Sequence, residues 1–539
     1  MHNGQGVTAV AVSVVGALTL LAACATPTVE TERADAVPVG AEPASSPSVE
    51  SDPAVATTSS ATTSTTPASS TTPTDDAASP TTTATATPPT ITARPPALGV
   101  GDELFEDLGS SDVDVESYDV RLTIDPTLDV VQGHVDLRAG LAPGLRVFPL
   151  DQVGLEIGAV SVDGEDTTFE TTATELLIDL PDGRVSGPAA EFDIGVDYTF
   201  DPGGAVSSVG LPSGWFEDET TGDSYVLNEP DGARTWLPSN DHPSDKALWT
   251  FDVVVPDGLV AVANGDLTAR PVGPSGSWRW SQDEPMSTYL VQLVVGDYEI
   301  VVPDAITRAD GTEIPLLHVV PAGERVEFEG AFDTVAEQTA FFEERFGPYP
   351  LERYGLAFVR GLSDLAMETQ GRSMFGADDF PGGTVGFTQQ LLLAHELAHQ
   401  WFGNAVSPAD WSDIWLNESI TTYAQWLWLD HVGLQPLESY ADQMLAERQT
   451  DGESTGEPSL DEMFGFLRYD GGAPVVHALR RVMGGEAFFD LLTAWVTDHS
   501  GTSQSTETFI ALAERFHGSD LTDFFETWLF SGDLPESYP

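Results

Sequence analysis

The sequence has 539 residues, of which 86 are acidic and only 21 are Lys or Arg, giving a formal net charge of −65. A chain of this length is longer than one hydrophobic core usually supports, so we expect two or more domains. The acidic surface disfavours nucleic acid as a partner, because phosphate backbones are bound through Lys and Arg. One cysteine excludes an internal disulfide framework and a Cys-based metal site. The charge is compatible both with a soluble secreted protein and with a salty habitat.

The first 24 residues are predicted to be a lipoprotein-type signal peptide. Residues 7–23 form an apolar run of about the length of a signal-peptide core, too short for a comfortable membrane span. The run ends in Leu21-Ala22-Ala23-Cys24, which resembles a bacterial lipobox. We therefore expect lipidation of Cys24 and anchoring on the outer face of a bacterial membrane, or secretion if the lipobox is not used. An ordinary signal peptide and an uncleaved anchor stay open, because residues 1–6 carry no Lys or Arg.

Residues 25–97 are rich in Ser, Thr, Pro and Ala and contain almost no large apolar side chains. Such a segment buries too little surface to fold, so it is predicted to be a disordered stalk. Its reach is expected to grow as about 5–6 Å times the square root of its length. The folded part would then stand away from the membrane.

The folded sequence divides into two parts. Residues 98–302 show short runs of alternating polar and apolar residues, interrupted by Gly, Pro, Asp and Asn, which predict an antiparallel β domain. From Val326 onward the apolar period lengthens, and residues 332–346 give the first clear helix. Residues 303–539 are therefore predicted to be mainly helical, with extended pieces around 354–359. The predicted fold class is α+β, with two domains after the stalk.

A short motif in the second part carries the chemistry. Residues 391–402 contain no Pro or Gly and are predicted to form a helix that presents His395 and His399 on one face, one turn apart. Two imidazoles at this spacing can share one zinc ion, and the neighbouring Glu396 can reach a metal-bound water. The motif alone also fits an ordinary pair of helical histidines.

Glu418 follows His399 after 18 intervening residues, at the start of a second helical pattern. A carboxylate there can complete a His, His, Glu set and leave the fourth zinc position open, as in catalytic sites. Water at such a site is expected to have a pKa of about 7. We therefore predict one zinc ion per chain, held by His395, His399 and Glu418.

The sequence resembles the aminopeptidase N family of zinc metallopeptidases, of the gluzincin type, over about 440 residues. The resemblance rests on segments that occur in the family's order: Glu229 to Arg234, Asn240 to Pro243, Leu365 to Thr369, His395 to Asn404, Trp415 to Glu418, and Arg468 to Ala473. It implies a saddle-like β-sandwich domain followed by a thermolysin-like catalytic domain. It also implies hydrolysis of N-terminal residues from peptides.

The resemblance assigns a role to each matched residue. Glu396 would activate the zinc-bound water, and Tyr469 would donate a hydrogen bond to the oxyanion. Glu368 would bind the substrate's free ammonium, with Glu229 as its partner. From the residues alone, Tyr469 reads as a core aromatic and Glu229 equally well as a solvated loop acid. Leu365 to Glu368, with Ala366 and Met367 as substrate-binding residues, would supply an extended edge that pairs with the substrate backbone.

The sequence departs from the family pattern at several positions. Gln425 stands where the family commonly has Glu, and Ser419 stands where it has Gly. Leu227, Leu365 and Thr369 replace Gln, Gly and Asn. Other histidines, including His242 and His477, are interpreted as structural.

Two rival hypotheses remain at this stage. A zinc endopeptidase would use the same chemistry, although Glu368 in its motif argues against it. A surface-displayed binding protein on an inactive peptidase fold is the other; the residues that argue against it, because all are intact, are His395, Glu396, His399, Glu418 and Tyr469. The preferred N-terminal residue, the physiological substrate and the oligomeric state are not predicted.

Overall fold

The computed structural model describes residues 92–539, apart from 126–129, 204, 208, 219, 274–275, 309–310, 364 and 449–451. The predicted signal peptide, Cys24 and nearly all of the predicted stalk lie outside the described residues. The last residues assigned to the stalk contact the folded part. Asp112 accepts hydrogen bonds from the Arg94 guanidinium and the Ala97 N–H, both at 2.7 Å. None of the described helices is long and apolar enough to span a bilayer.

The first part of the chain consists mainly of strands. Their bounds are β1 Val113–Thr123, β2 Val131–Leu141, β3 Val147–Asp151, β4 Glu156–Val162, β5 Glu165–Asp166, β6 Phe169–Thr171, β7 Glu175–Asp179, β8 Ala190–Phe200, β9 Ala205–Val206, β10 Pro212–Glu217, β11 Ser224–Leu227, β12 Lys246–Val254, β13 Val260–Ala263, β14 Asp266–Ala269, β15 Trp278–Ser287 and β16 Leu293–Gly296. They form an eight-stranded sheet in the order β14-β15-β12-β1-β2-β8-β4-β5. A five-stranded sheet, β13-β16-β11-β10-β9, and a three-stranded sheet, β3-β7-β6, complete this part.

Strand β1 shows how the alternating pattern produces this domain. Val113 and Val115 point inward, and a bulge after Val115 shifts the phase so that Tyr118 and Val120 then face the core. An extra residue in one strand reverses which side chains face inward, so the apolar face is kept across the bulge. β1 pairs antiparallel with β2 but parallel with β12. The predicted antiparallel domain therefore contains a parallel pair at the centre of its largest sheet.

The second part combines helices with a smaller sheet. Its strands are β17 Tyr298–Val301, β18 Ile306–Thr307, β19 Glu313–Ile314, β20 His318–Pro321, β21 Leu356–Val359, β22 Ala366–Met367, β23 Ser373–Gly376, β24 Val406–Pro408 and β25 Thr502–Gln504. Its helices are α1 Glu329–Phe346, α2 Phe387–Ala398, α3 Trp415–His431, α4 Leu437–Arg448, α5 Ala473–Met483, α6 Gly485–His499, α7 Thr506–His517 and α8 Thr522–Trp528. The predicted fold class, a β domain followed by a mainly helical domain, is confirmed.

The sheet of the second part has the order β17-β20-β21-β23-β22. β17 lies within residues 98–302, which the sequence assigned to the β domain, yet it pairs with β20 of this sheet. β22 is the outermost strand. It pairs with β23 through Ala366 and Met367, and its other edge has no strand partner among the described residues.

The two parts are joined by buried polar contacts. The His242 imidazole and the Trp411 N–H both contact the buried Asp102 carboxylate, at 3.3 Å and 2.9 Å. The Arg372 guanidinium, also buried, donates to the Ala263 carbonyl and the Gln292 amide oxygen. Buried polar groups require partners, so these contacts hold the two parts in a defined arrangement around the site.

Candidate active site

The helix α2 presents the two predicted histidine ligands. His395 and His399 stand one turn apart, and their Nε2 atoms are 3.1 Å from each other. α2 ends at Ala398, four residues before the predicted end, and His399 is its C-cap. Leu393, Ala394, Leu397 and Ala398 of the same helix are buried. An amphipathic helix anchored in this way aims both imidazoles into the interior.

The helix α3 supplies the third predicted ligand. Glu418 Oε2 lies 3.3 Å from His395 Nε2 and 3.5 Å from His399 Nε2, and it has no hydrogen-bond partner among the described residues. Zinc bonds of about 2.0–2.1 Å in tetrahedral geometry place ligand atoms about 3.4 Å apart. The three atoms therefore form a triangle of the right size and chemistry for zinc.

The Nδ1 atom of each histidine, which faces away from the predicted metal position, lies within hydrogen-bond distance of an oxygen atom. His395 Nδ1 lies 3.1 Å from the Gln425 Oε1 atom, and His399 Nδ1 lies 3.0 Å from the Phe402 carbonyl oxygen. Since both partners are acceptors, each Nδ1 carries the proton and each Nε2 lone pair faces the metal position. Gln425 thus contacts the predicted zinc ligand His395 through its amide, where the family commonly has a carboxylate.

Glu396 is buried beside this triangle. Its Oε2 atom has no hydrogen-bond partner among the described residues. Its main chain is fixed, because the Glu396 carbonyl accepts from the Ser373 hydroxyl and the Gln400 amide. A free carboxylate oxygen on a rigid backbone is suited to accept a proton from water.

Glu229 and Glu368 come from different parts of the chain and meet next to Glu418. One carboxylate oxygen of each of the three lies within 4.8 Å of the others. Burial raises the pKa of Glu229 well above its usual value, and the Glu368 charge raises it further. Burial also raises the pKa of Glu368, against the lowering effect of His399. Glu229 Oε1 and Glu368 Oε1 have no hydrogen-bond partner among the described residues, so both acids are available to a cation.

Glu368 directly follows β22 and is held by the segment after α2. The Glu368 carbonyl accepts hydrogen bonds from the Asn404 amide at 2.6 Å and the Gln400 amide at 3.1 Å. Sequence reasoning assigned no role to Gln400 or Asn404, although both belong to the matched segment His395 to Asn404. Their position in that segment was the available signal.

Tyr469 precedes α5, and its ring lies 6.0 Å from the His395 ring at an interplanar angle of 27°. Tyr469 therefore lies beside a predicted zinc ligand, and not in the hydrophobic core, which was the alternative that the residues alone suggested. The carbonyl of the preceding residue, Arg468, accepts a hydrogen bond of 2.7 Å from the Ser419 hydroxyl. Ser419, one of the departures, thus connects α3 to the segment that carries Tyr469.

The other residues that differ from the family pattern are Thr369, Leu227 and Leu365, and each contacts neighbouring residues in the fold. The Thr369 hydroxyl donates to the Arg372 carbonyl and accepts from the Gln292 amide of the β domain. Leu227 is buried in β11, where it pairs with Gly214, and Leu365 is half-buried against apolar side chains. Thr369 is therefore part of the hydrogen-bonded turn that follows Glu368.

The two parts of the chain match two family models. Residues 114–290 match the peptidase M1 N-terminal domain, and residues 330–528 match the peptidase family M1 domain. An M1 zinc metallopeptidase from Deinococcus radiodurans is 30% identical, with a TM-score of 0.72 over 82% of this chain and 99% of that chain. The chain belongs to peptidase family M1. The expected family, and with it the zinc metallopeptidase class, is confirmed.

Other M1 relatives are named aminopeptidases. Aminopeptidase M1-C of Oryza sativa is 26% identical over 76% of this chain and 49% of its own length. Leucyl aminopeptidase of Saccharolobus solfataricus is 27% identical over 72% of this chain and 50% of its own length. This M1 chain spans about half the length of these curated relatives.

Proposed function

We propose that this chain is a zinc aminopeptidase that removes single residues from the free N-termini of peptides. The observation that carries the proposal is the pair Glu229 and Glu368 beside the His395, His399 and Glu418 triangle. The buried Glu368 and the half-buried Glu229, each with a carboxylate oxygen that lacks a hydrogen-bond partner among the described residues, suit the ammonium of an N-terminus, because a charge-assisted hydrogen bond satisfies both partners. A mid-chain peptide bond has no cation to offer them, which disfavours an endopeptidase.

Each residue of the site has a separate role in the proposed hydrolysis. Zinc, when held by His395, His399 and Glu418, supplies Lewis-acid polarisation of the scissile carbonyl and of the attacking water. Glu396 takes a proton from that water and delivers it to the leaving amine. Tyr469 donates a hydrogen bond to the oxygen on which negative charge develops.

Substrate orientation comes from the remaining groups. The outer edge of β22, at Ala366 and Met367, pairs with the backbone of an extended peptide, as in strand addition. Glu368 follows that edge directly, so it receives the ammonium of the first residue while the first peptide bond lies over the metal position. In this arrangement the hydrolysed bond is the one that follows the first residue of the peptide.

The structural neighbours support the substrate class. The Deinococcus radiodurans enzyme has been solved as a variant bound to a Tyr-Ser-Ala substrate, with 29% identity to this chain and a TM-score of 0.72. A related structure of the two-domain enzyme holds L-tryptophan. A tripeptide and a free amino acid are a substrate and a product type expected of an aminopeptidase.

The test compares one peptide with a free N-terminus and the same peptide acetylated, with products followed by mass spectrometry. We expect stepwise loss of single residues from the free peptide only, with a preference in kcat/KM of roughly two to three orders of magnitude. Glu396→Gln is the matched control, since it should keep zinc and lose roughly 10²–10⁴-fold in kcat. Equal internal cleavage of both peptides would identify an endopeptidase instead.

We also propose that the enzyme is anchored outside the cell through lipid on Cys24, which would place peptide hydrolysis at the cell surface. The support is the sequence Leu21-Ala22-Ala23-Cys24 and the stalk-like composition after it. Two or three acyl chains give stable membrane attachment, whereas one is marginal. Radiolabelled fatty acid should enter the wild-type protein and not Cys24→Ser. An unlabelled wild-type protein found wholly in the medium would contradict the anchor.

A further inference from the structure

Lys246 is the only lysine in the sequence of 539 residues. It begins β12 in the β domain, yet its ammonium contacts the other part of the molecule. It donates hydrogen bonds to the Asn404 carbonyl at 2.7 Å and to the Ala405 carbonyl at 3.4 Å. In a chain so poor in basic residues, the one lysine lies at the boundary between the two parts, and the carbonyls that it contacts come shortly after α2, the helix that carries His395 and His399.

Lys246 is half-buried, and its ammonium points at buried main chain. Burial lowers the pKa of Lys246 to about 7. Both carbonyls that it contacts belong to buried residues. Placing an amine there costs desolvation energy, which is offset only if its N–H groups find acceptors. The protonated and the neutral amine both carry N–H donors, so the contact with the Asn404 carbonyl persists in either form.

The loop 403–405 receives a second set of contacts from the β domain. The Gly403 carbonyl accepts from the Tyr289 hydroxyl at 2.8 Å. Gly403 has φ +118°, and a Cβ there would lie 3.3 Å from His399 Nδ1, so the loop passes close to a zinc ligand. Three consecutive carbonyls of this loop thus accept hydrogen bonds from two β-domain side chains, Tyr289 and Lys246.

The same loop holds the acid that receives the substrate. The Asn404 side chain donates its 2.6 Å hydrogen bond to the Glu368 carbonyl, while the Asn404 carbonyl accepts from Lys246. Asn404 therefore links Lys246 of the β domain to the main chain of Glu368, so displacement of Asn404 would disturb the backbone from which the Glu368 carboxylate extends. Displacement of a binding group by about 1 Å is enough to weaken catalysis strongly.

We propose that Lys246 is a positioning residue for recognition of the N-terminus: it holds loop 403–405 so that Asn404 keeps Glu368 in register with the zinc site. This inference rests on the proposed aminopeptidase function. It predicts that removal of the Lys246 donor affects free and acetylated peptides differently, whereas loss of general stability affects both alike.

The test uses Lys246→Met, which keeps the length of the side chain and removes its donor. The matched control is Ser503→Ala, because the Ser503 hydroxyl donates across the same boundary to the Pro243 carbonyl at 2.7 Å and makes no hydrogen bond to loop 403–405 among the described residues. Each variant is assayed for zinc content and for kcat/KM on the free and the acetylated peptide. We expect the free-to-acetylated preference to fall roughly tenfold in Lys246→Met and to change by less than about twofold in Ser503→Ala.

Asn404→Ala removes the hydrogen bond from the Asn404 amide to the Glu368 carbonyl while Lys246 is intact. It replaces Lys246→Met as the test if that variant fails to fold. The double variant should lose no more preference than the stronger single variant, because both act on one contact chain. A preference that stays near wild type in Lys246→Met, or falls equally in Ser503→Ala, would overturn the inference.

Hydrogen exchange of the peptide covering residues 366–372 gives a readout that does not depend on activity. Exchange should be roughly tenfold faster in Lys246→Met and Asn404→Ala than in wild type or Ser503→Ala. If the wild type shows no preference for free N-termini, the proposed function fails. The exchange rates then still decide whether Lys246 holds this segment, and unchanged rates would refute it.

Discussion

A carboxylate oxygen of Glu229 in the β domain lies within 4.8 Å of a carboxylate oxygen of Glu368, the residue that follows β22 in the second part of the chain. Burial raises the pKa values of both acids, and each keeps an oxygen without a hydrogen-bond partner among the described residues. Two carboxylates in such proximity repel each other unless a cation lies between them. The raised pKa values reflect this, since a retained proton avoids the repulsion, and the ammonium of the proposed substrate would let both acids ionise.

The first prediction concerns these two acids. Glu368→Gln and Glu229→Gln should each lower kcat/KM for free peptides by roughly 10–100-fold, because each removes one charge-assisted hydrogen bond to the ammonium. Acetylated peptides should be hydrolysed no worse than by the wild type, since they offer no charge. Steady-state kinetics on both peptides gives the answer. Equal losses on the two substrates would mean that the acids serve stability rather than recognition.

The second prediction concerns Tyr469 and its support. Tyr469→Phe should lower kcat with little change in KM, the signature of a contact formed mainly in the transition state. Ser419→Ala should have the same signature but a smaller size, because it removes only the 2.7 Å hydrogen bond to the Arg468 carbonyl that orients Tyr469. Adding Ser419→Ala to Tyr469→Phe should then cost nothing further in kcat. A Ser419→Ala enzyme that changes KM instead would rule out this connection.

The third prediction concerns zinc retention. Gln425 accepts from His395 Nδ1 through a neutral amide, and a carboxylate there would make the imidazole a stronger ligand. Gln425→Glu should therefore slow zinc loss to a chelator by about tenfold, and Gln425→Leu should speed it by roughly 10–100-fold. Zinc release is followed with a chromogenic chelator, without any substrate. Identical release from all three proteins would show that this contact does not tune the metal.

The fourth prediction concerns pH and stability. Glu175 in β7 is only 4% exposed, and burial, with Asp151 next in effect, raises its pKa to about 8. The folded protein therefore keeps a proton that the unfolded chain has released, so stability falls as the pH rises from about 4.5 to about 8 and then levels off. Glu175→Gln removes this penalty. Its free energy of unfolding should exceed the wild-type value by on the order of 5 kcal/mol above pH 8 and match it near pH 4.

Urea unfolding of both proteins at several pH values measures this difference. Asp179→Asn is a control on the same strand, since Asp179 is exposed. A gap between Glu175→Gln and wild type that does not grow with pH would contradict the shifted pKa of Glu175.

The sequence by itself determined the features that depend on local geometry. His395 and His399 could be assigned to one helical face because the α-helical period is a property of the local chain. Glu418 followed from its place at the start of the next helix. The alternating apolar residues of β1 and β12 predicted strands for the same reason, since their period of two is local.

Tertiary structure alone decided the relationships between distant segments. Local patterns do not state which strands become neighbours, so the parallel pairing of β1 with β12 did not follow from their alternation. For the same reason, Tyr469 could not be separated from a core aromatic, nor Glu229 from a solvated acid, by residues alone. Their placement depends on packing between two parts of the chain, and so does the contact of Lys246 with the Asn404 carbonyl. Such contacts arise from the burial of both partners at one boundary, and burial is a property of the folded molecule rather than of the segment.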